Sequence, residues 1–153
     1  MSVKFNQLVA KMPELLKTLE SCSYLTRDNL VDIPNSGVYS FYESGKSIYI
    51  GRSNRMKQRL QEHGRPSSNH NTAPFAFNLA KEEFERGQGI PSEVTREELA
   101  SDPRFRDLFF KAKDRVARMK IRVIGINDQV EQALFEIYAA LSLNTKYNDF
   151  GTH

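Results

Sequence analysis

Residues 34–53 read PNSGVYSFYESGKSIYIGRS, and this stretch decides the fold. It opens on a turn cluster, Pro34-Asn35-Ser36-Gly37, whose residues favour fixed or left-handed backbone. Two β-rich runs follow, Val38 to Tyr42 and Ser47 to Ile50. Their alternation and their β-branched and aromatic content suit a pleated, half-buried surface. Between them Glu43-Ser44-Gly45-Lys46 is short and contains a glycine, so the pair reads as a β-hairpin. A further strand-like run lies far downstream, at Lys120 to Ile126.

The rest of the chain reads as helices and loops. Phe5, Leu8, Val9, Met12, Leu15, Leu16 and Leu19 have helical spacing, and Pro13 is expected to start a second helical piece, since proline suits a first turn. Ser53 is expected to cap a helix that runs to His63 and closes at Gly64. Arg65 to Pro74, rich in Ser, Asn and Pro, reads as a loop. Phe75 to Phe84 reads as a helix broken by Gly87 to Pro91. Thr95 with Glu98 resembles a capping box, and Asp102-Pro103 a cap followed by a first-turn proline. Phe105, Leu108, Phe109, Ala112, Val116 and Met119 then trace one apolar stripe. Asn127 or Asp128 caps a last helix, whose buried stripe is expected to be Val130, Ala133, Leu134, Ile137 and Leu141. The expected fold is α/β of the α+β kind: a small, mainly antiparallel three-stranded sheet flanked by helices. One domain spans 1–153, decorated by an N-terminal helical extension (1–34) and a helical insertion (64–119).

Composition sets the broad class. A chain of 153 residues, 27% charged and 39% hydrophobic, is ordinary for a soluble globular domain. No stretch approaches the roughly 18 to 20 apolar residues of a membrane span, and the N-terminus lacks the layout of a secretion signal. The single cysteine, Cys22, permits no intramolecular disulfide and no cysteine-based zinc site. It reads as a reduced, buried thiol of a cytoplasmic protein. The three histidines lack zinc-ligand spacing. Net charge is +3 and unevenly spread. Arg52, Arg55, Lys57, Arg59 and Arg65 stand against Glu62 alone, while Lys111 to Arg122 holds six basic residues against Asp114. Two such stretches point to a polyanion partner, the plain alternative being solvated helix faces.

The chemistry sits in a spaced set of residues. Gly37-Val38-Tyr39 opens the first strand and Tyr49-Ile50-Gly51 closes the second. Arg59 follows ten residues after Tyr49, and His63 lies one helical turn further. Glu136 falls on the last helix, and twelve residues on comes Asn148, within Lys146-Tyr147-Asn148. In these positions the chain resembles the GIY-YIG nuclease family of phage homing endonucleases, certain restriction enzymes and the repair nuclease of bacterial excision repair. Val38 replaces the isoleucine of the first triplet, a conservative β-branched exchange. The resemblance covers 37–63 and 123–148, and says little about the first 34 residues.

The resemblance implies a metal-dependent DNA endonuclease, a phosphodiester hydrolase with one Mg2+ or Mn2+ ion per site and double-stranded DNA as substrate. It implies that Glu136 is the metal ligand and that Arg59 stabilises charge on the scissile phosphate. Tyr39 would act as general base on water, and Tyr49 would support the nucleophile or the phosphate. His63 would orient a tyrosine or share in proton transfer, and Asn148 would buttress the site. On a helical wheel Glu136 lies at the edge of the apolar arc, a boundary position, whereas Glu131 reads as a cap or surface residue. Arg52, Arg55, Lys57, Lys111, Arg115 and Arg118 are expected to meet the DNA backbone, and Arg122 to extend that basic face. Taken singly, the tyrosines could be packed strand residues and Arg59 and His63 an exposed helix face. The competing readings are a non-catalytic or partner-targeted nucleic-acid-binding module on the same scaffold, and an RNA-directed nuclease. No zinc finger or helix-turn-helix is present, so specificity and oligomeric state stay open.

Overall fold

Ser44 and Gly45 both take left-handed backbone, with φ of 54° and 76°. Two successive residues of this kind form the primed turn that matches the twist of a two-residue hairpin. The turn joins β1 (Gly37–Glu43) to β2 (Lys46–Ser53), as the alternation in 38–50 requires. β3 (Lys120–Gly125) pairs with the other side of β1, so the sheet is antiparallel throughout, in the order β2-β1-β3. The computed structural model describes residues 2–88 and 94–150. Its six helices are α1 (Val3–Ser21), α2 (Met56–Gly64), α3 (Pro74–Gln88), α4 (Arg96–Ala100), α5 (Pro103–Ala117) and α6 (Gln129–Leu143). The three-stranded antiparallel sheet flanked by helices is therefore the architecture that the patterning predicts. None of these helices is long and apolar enough to cross a membrane.

The chain divides into two compact units, Met1–Gln58 with Met119–His153, and Arg59–Arg118. The first unit is built on one face of the sheet. Val38, Ile50 and Ile124 pack there against Met12 and Leu19 of α1 and Phe135, Ala139 and Ala140 of α6. Thus α1, expected to decorate the sheet, supplies part of its core. It also runs unbroken, with Pro13 inside it, where two helical pieces were expected. Proline forfeits one helical hydrogen bond, but Leu8, Met12 and Leu19 are buried on both sides of it, and that burial offsets the loss.

A second departure concerns α6. Its buried residues are Gln132, Phe135, Ala139 and Ala140, and Leu134 is partly buried. Val130, Ile137 and Leu141, expected inside, are 53%, 43% and 73% exposed. The helix is apolar almost all round, so its pattern does not single out one face. The face carrying Ala139 and Ala140 allows the closest approach to the sheet. Asp128 is the cap, its carboxylate accepting from the Glu131 N–H at 2.9 Å.

The second unit joins α3 and α5 through an aromatic cluster of Phe77, Phe84, Phe105 and Phe109. Phe105, Phe109, Ala112 and Val116 are buried, as their stripe predicts. The Thr95 cap and the Asp102-Pro103 start also form as expected. Helix α3 continues through Gly87 to Gln88. The rest of the break expected at Gly87 to Pro91 lies outside the described residues. Lys113 is buried as well. Its Nζ donates to the carbonyls of Pro66 (2.6 Å) and Ser68 (2.8 Å) and lies over the Phe109 ring, pinning the 65–73 loop to α5.

Candidate active site

The two glycines of the spaced set have steric causes. At Gly37 a β-carbon would overlap the carbonyl oxygen of Ile124 on β3. At Gly51 it would overlap the phenol of Tyr39, its partner across the hairpin. The Tyr39 ring therefore lies directly on the Gly51 backbone, and only glycine leaves room for it. Tyr39 is buried, edge-on to Phe41 at 5.7 Å between centroids, and Phe41 in turn meets the half-buried Tyr49 at 6.5 Å. Register puts these three rings on one face of the sheet and Val38, Ile50 and Arg52 on the other, the face that α6 covers.

Glu136 belongs to a second group, on the α6 side. It is half-buried, and burial raises its pKa above the usual carboxylate value, with the nearby Arg52 guanidinium acting the other way. An amide network ties this end of α6 to β2. Asn54 and Gln129 exchange hydrogen bonds of 2.9 and 3.0 Å. The buried Gln132 donates to Asn54 Oδ1 at 3.0 Å and to the Ile126 carbonyl at 2.7 Å. Arg52 reaches the Gln132 side chain and the Gln129 carbonyl at 3.5 Å. Gln132 and Asn54 were not singled out in the sequence. The available signal was that Gln132 precedes Glu136 by one helical turn and so shares its face.

Asn148 sits at the free edge of β2. Its Oδ1 accepts from the Ile50 N–H at 2.8 Å, and its Nδ2 donates to the Ile50 carbonyl at 2.7 Å. Thr145 Oγ1 donates to the same Oδ1 at 2.7 Å. The amide thus stands in for a fourth strand at the residue between Tyr49 and Gly51, a buttressing geometry.

In the second unit Arg59 donates through Nη1 to the Glu62 carboxylate (3.1 Å) and to the Thr72 carbonyl (2.7 Å). His63 is completely buried. Burial first, and the Arg59 charge second, hold its pKa well below the ordinary 6.5, so the imidazole is neutral at pH 7. Among the cations expected to meet a polyanion, Arg52, Arg55 and Lys57 are exposed. Lys111 and Arg118 are exposed too, and each pairs with an acid one turn earlier on α5, Asp107 and Asp114. Arg115 is exposed on the same helix. Arg122 differs from expectation: its guanidinium is stacked on Tyr24 and Tyr42, and its Nε donates to the Cys22 carbonyl, so it secures the chain after α1. Cys22 is half-buried rather than buried.

Among the described residues no three of His, Cys, Asp and Glu converge as a metal-ligand cluster. A site for one hard cation needs fewer, because Mg2+ keeps several waters and takes one or two carboxylates. Glu136 fits that requirement: its carboxylate is half-buried, and the cost of ionising it there falls when a cation binds. Comparison with protein-family models, with curated proteins and with solved structures returned no match.

Proposed function

We propose that this chain is a metal-dependent endonuclease that hydrolyses phosphodiester bonds in DNA. The observation that carries the reading is the half-buried Glu136 carboxylate beside Arg52. It stands on α6 next to the edge strand β2, on the side of the sheet opposite to the Tyr39 and Tyr49 rings. Binding a polyanion has no use for a carboxylate beside its cations, whereas a hydrolytic site uses one to hold a divalent cation against the phosphate. That contrast favours the nuclease over a non-catalytic binding module.

Hydrolysis requires an activated water, neutralisation of charge on the phosphate and help for the leaving oxygen. Glu136 would hold one Mg2+ or Mn2+ ion, which supplies the last of these. Arg59 offers a planar fork to the scissile phosphate, and its Nη1 is already oriented by Glu62 and Thr72. Tyr39, which is buried, would act as general base only where a cation lowers its pKa and water reaches its hydroxyl, and the more exposed Tyr49 would support the nucleophile or the phosphate. Because His63 is neutral, it serves as a hydrogen-bonding group that orients its neighbours rather than as a resident charge. Asn148 holds β2 straight between the two groups. Arg52, Arg55, Lys57, Lys111, Arg115 and Arg118 hold the DNA backbone.

The test is incubation of the pure protein with supercoiled plasmid in Mg2+, in Mn2+ and in chelator, with a structured RNA in parallel. Metal-dependent nicking or linearisation of the plasmid is expected. Binding without cleavage in any metal would transfer the assignment to the binding module. Cleavage of the RNA alone would make the chain an RNA nuclease.

A further inference from the structure

We infer that Lys113 is a positioning residue for Arg59, acting through the 65–73 loop. The inference rests on reading Arg59 as the group that meets the scissile phosphate, and it gives the helical insertion a task in that site. Both residues belong to the Arg59–Arg118 unit. Lys113 stands on α5 and is only 6% exposed. Burying an ammonium is costly unless its donors are met, and an apolar side chain often fills such a place at less cost. Here Nζ donates to two carbonyls of one loop, Pro66 at 2.6 Å and Ser68 at 2.8 Å, and lies over the Phe109 ring. The loop cannot turn these carbonyls away without stranding the charge.

The pinned stretch runs directly into the partner of Arg59. Ser68 Oγ donates to the Glu62 carbonyl at 2.6 Å, which ties the loop back to α2. Asn69 then closes a turn: its Oδ1 accepts from the Asn71 N–H at 2.9 Å and from the Thr72 N–H at 3.0 Å. Thr72 Oγ1 accepts in return from the Asn69 N–H at 2.9 Å. That turn presents the Thr72 carbonyl, which takes Arg59 Nη1 at 2.7 Å, against 3.1 Å from the same nitrogen to Glu62. The two acceptors differ in consequence. Glu62 offsets the guanidinium charge, whereas a neutral carbonyl fixes its direction and leaves the charge for an anion. Both bonds use Nη1, so a phosphate is met by the Nε–Nη2 edge of the fork. Without Lys113 the loop is free to carry the Thr72 carbonyl away, and Arg59 falls back on its ion pair with Glu62.

Two variants test this chain of contacts in the full-length protein. Lys113→Met keeps the length of the side chain and removes its donors. Asn69→Ala alters an exposed position and opens the same turn, so it decides alone should Lys113→Met fail to fold. In heteronuclear NMR the Nε–Hε signal of Arg59, assigned by its loss in Arg59→Lys, should shift in both variants, a readout that needs no cleavage. In plasmid cleavage with Mg2+, kcat should fall by about 10- to 100-fold, the scale of a small misplacement, with KM little changed. On an Arg59→Ala background the same substitutions should still lower Tm but take nothing further from the residual kcat, because their effect runs through the missing group. An Arg59 signal that keeps its wild-type position in both variants overturns the proposal, and so does an equal loss of kcat with and without Arg59. A shifted signal in a chain that cleaves no nucleic acid in any metal would sustain the hold of Lys113 on Arg59 and overturn the nuclease reading alone.

Discussion

At Glu136 the needs of the fold and of the proposed chemistry diverge. Its pKa in the folded state lies above the unfolded value of 4.5, so the folded chain binds that proton more tightly. The associated stability is present at low pH and is lost as pH rises through the folded pKa. Glu136→Gln should therefore melt no lower than the wild type at pH 7, while plasmid cleavage falls to background; retained cleavage in Mg2+ would remove Glu136 from the metal site. Tyr39→Phe deletes one hydroxyl from a ring that still packs on Phe41. It is expected to slow cleavage by about 10²- to 10⁴-fold, the range of general-base catalysis, with a Tm change of a few degrees at most. Gly51→Ala is the harsher change, because its methyl would overlap the buried Tyr39 phenol. It should lower both activity and stability, the latter by about 1–3 kcal/mol as overpacking does, measured by urea denaturation.

At the scale of elements, two local devices can be tested. The edge of β2 is held by the two hydrogen bonds between Asn148 and the Ile50 backbone. Asn148→Ala should cost about 1–3 kcal/mol, near 1 kcal/mol per bond. Amide exchange at Ile50 should accelerate, and unchanged exchange would show that the strand needs no clamp. In α2, His63 is buried and its folded pKa lies well below 6.5. The unfolded chain then takes up the proton first, so stability is full above about pH 6.5 and falls as pH drops below it. Wild-type melting temperatures between pH 7.5 and 5 should fall more steeply than those of His63→Gln; parallel curves would show that the imidazole does not carry the dependence.

For the molecule as a whole, the basic surface of α5 governs the expected DNA affinity. Every cation withdrawn from a phosphate should reduce the slope of log affinity against log salt by about 0.9. A triple substitution of Lys111, Arg115 and Arg118 by glutamine is expected to weaken binding at all sequences alike and to flatten that slope. Titrations at several salt concentrations measure both quantities, and identical slopes would leave α5 as a solvated face with intrahelical ion pairs to Asp107 and Asp114.

Most of the fold was legible in sequence because its determinants are local. The Ser44-Gly45 turn, the strand alternation on either side of it and the caps at Thr95, Asp102 and Asp128 each depend on residues within a few positions. The candidate residues were legible as a spaced set, and Gly37 and Gly51 acquire a steric reason once the strands pair. Sequence by itself determined the secondary elements and the antiparallel hairpin, since backbone propensity and hydrogen bonding at turns act over short range. Only the tertiary structure decided which face of α6 turns inward, that Lys113 lies buried against the Pro66 and Ser68 carbonyls, that His63 is neutral and that Gln132 supports the Glu136 side of β2. Those outcomes follow from burial and from partners tens of residues away, and an apolar helix or a lone polar side chain carries no local mark of which neighbour it will meet.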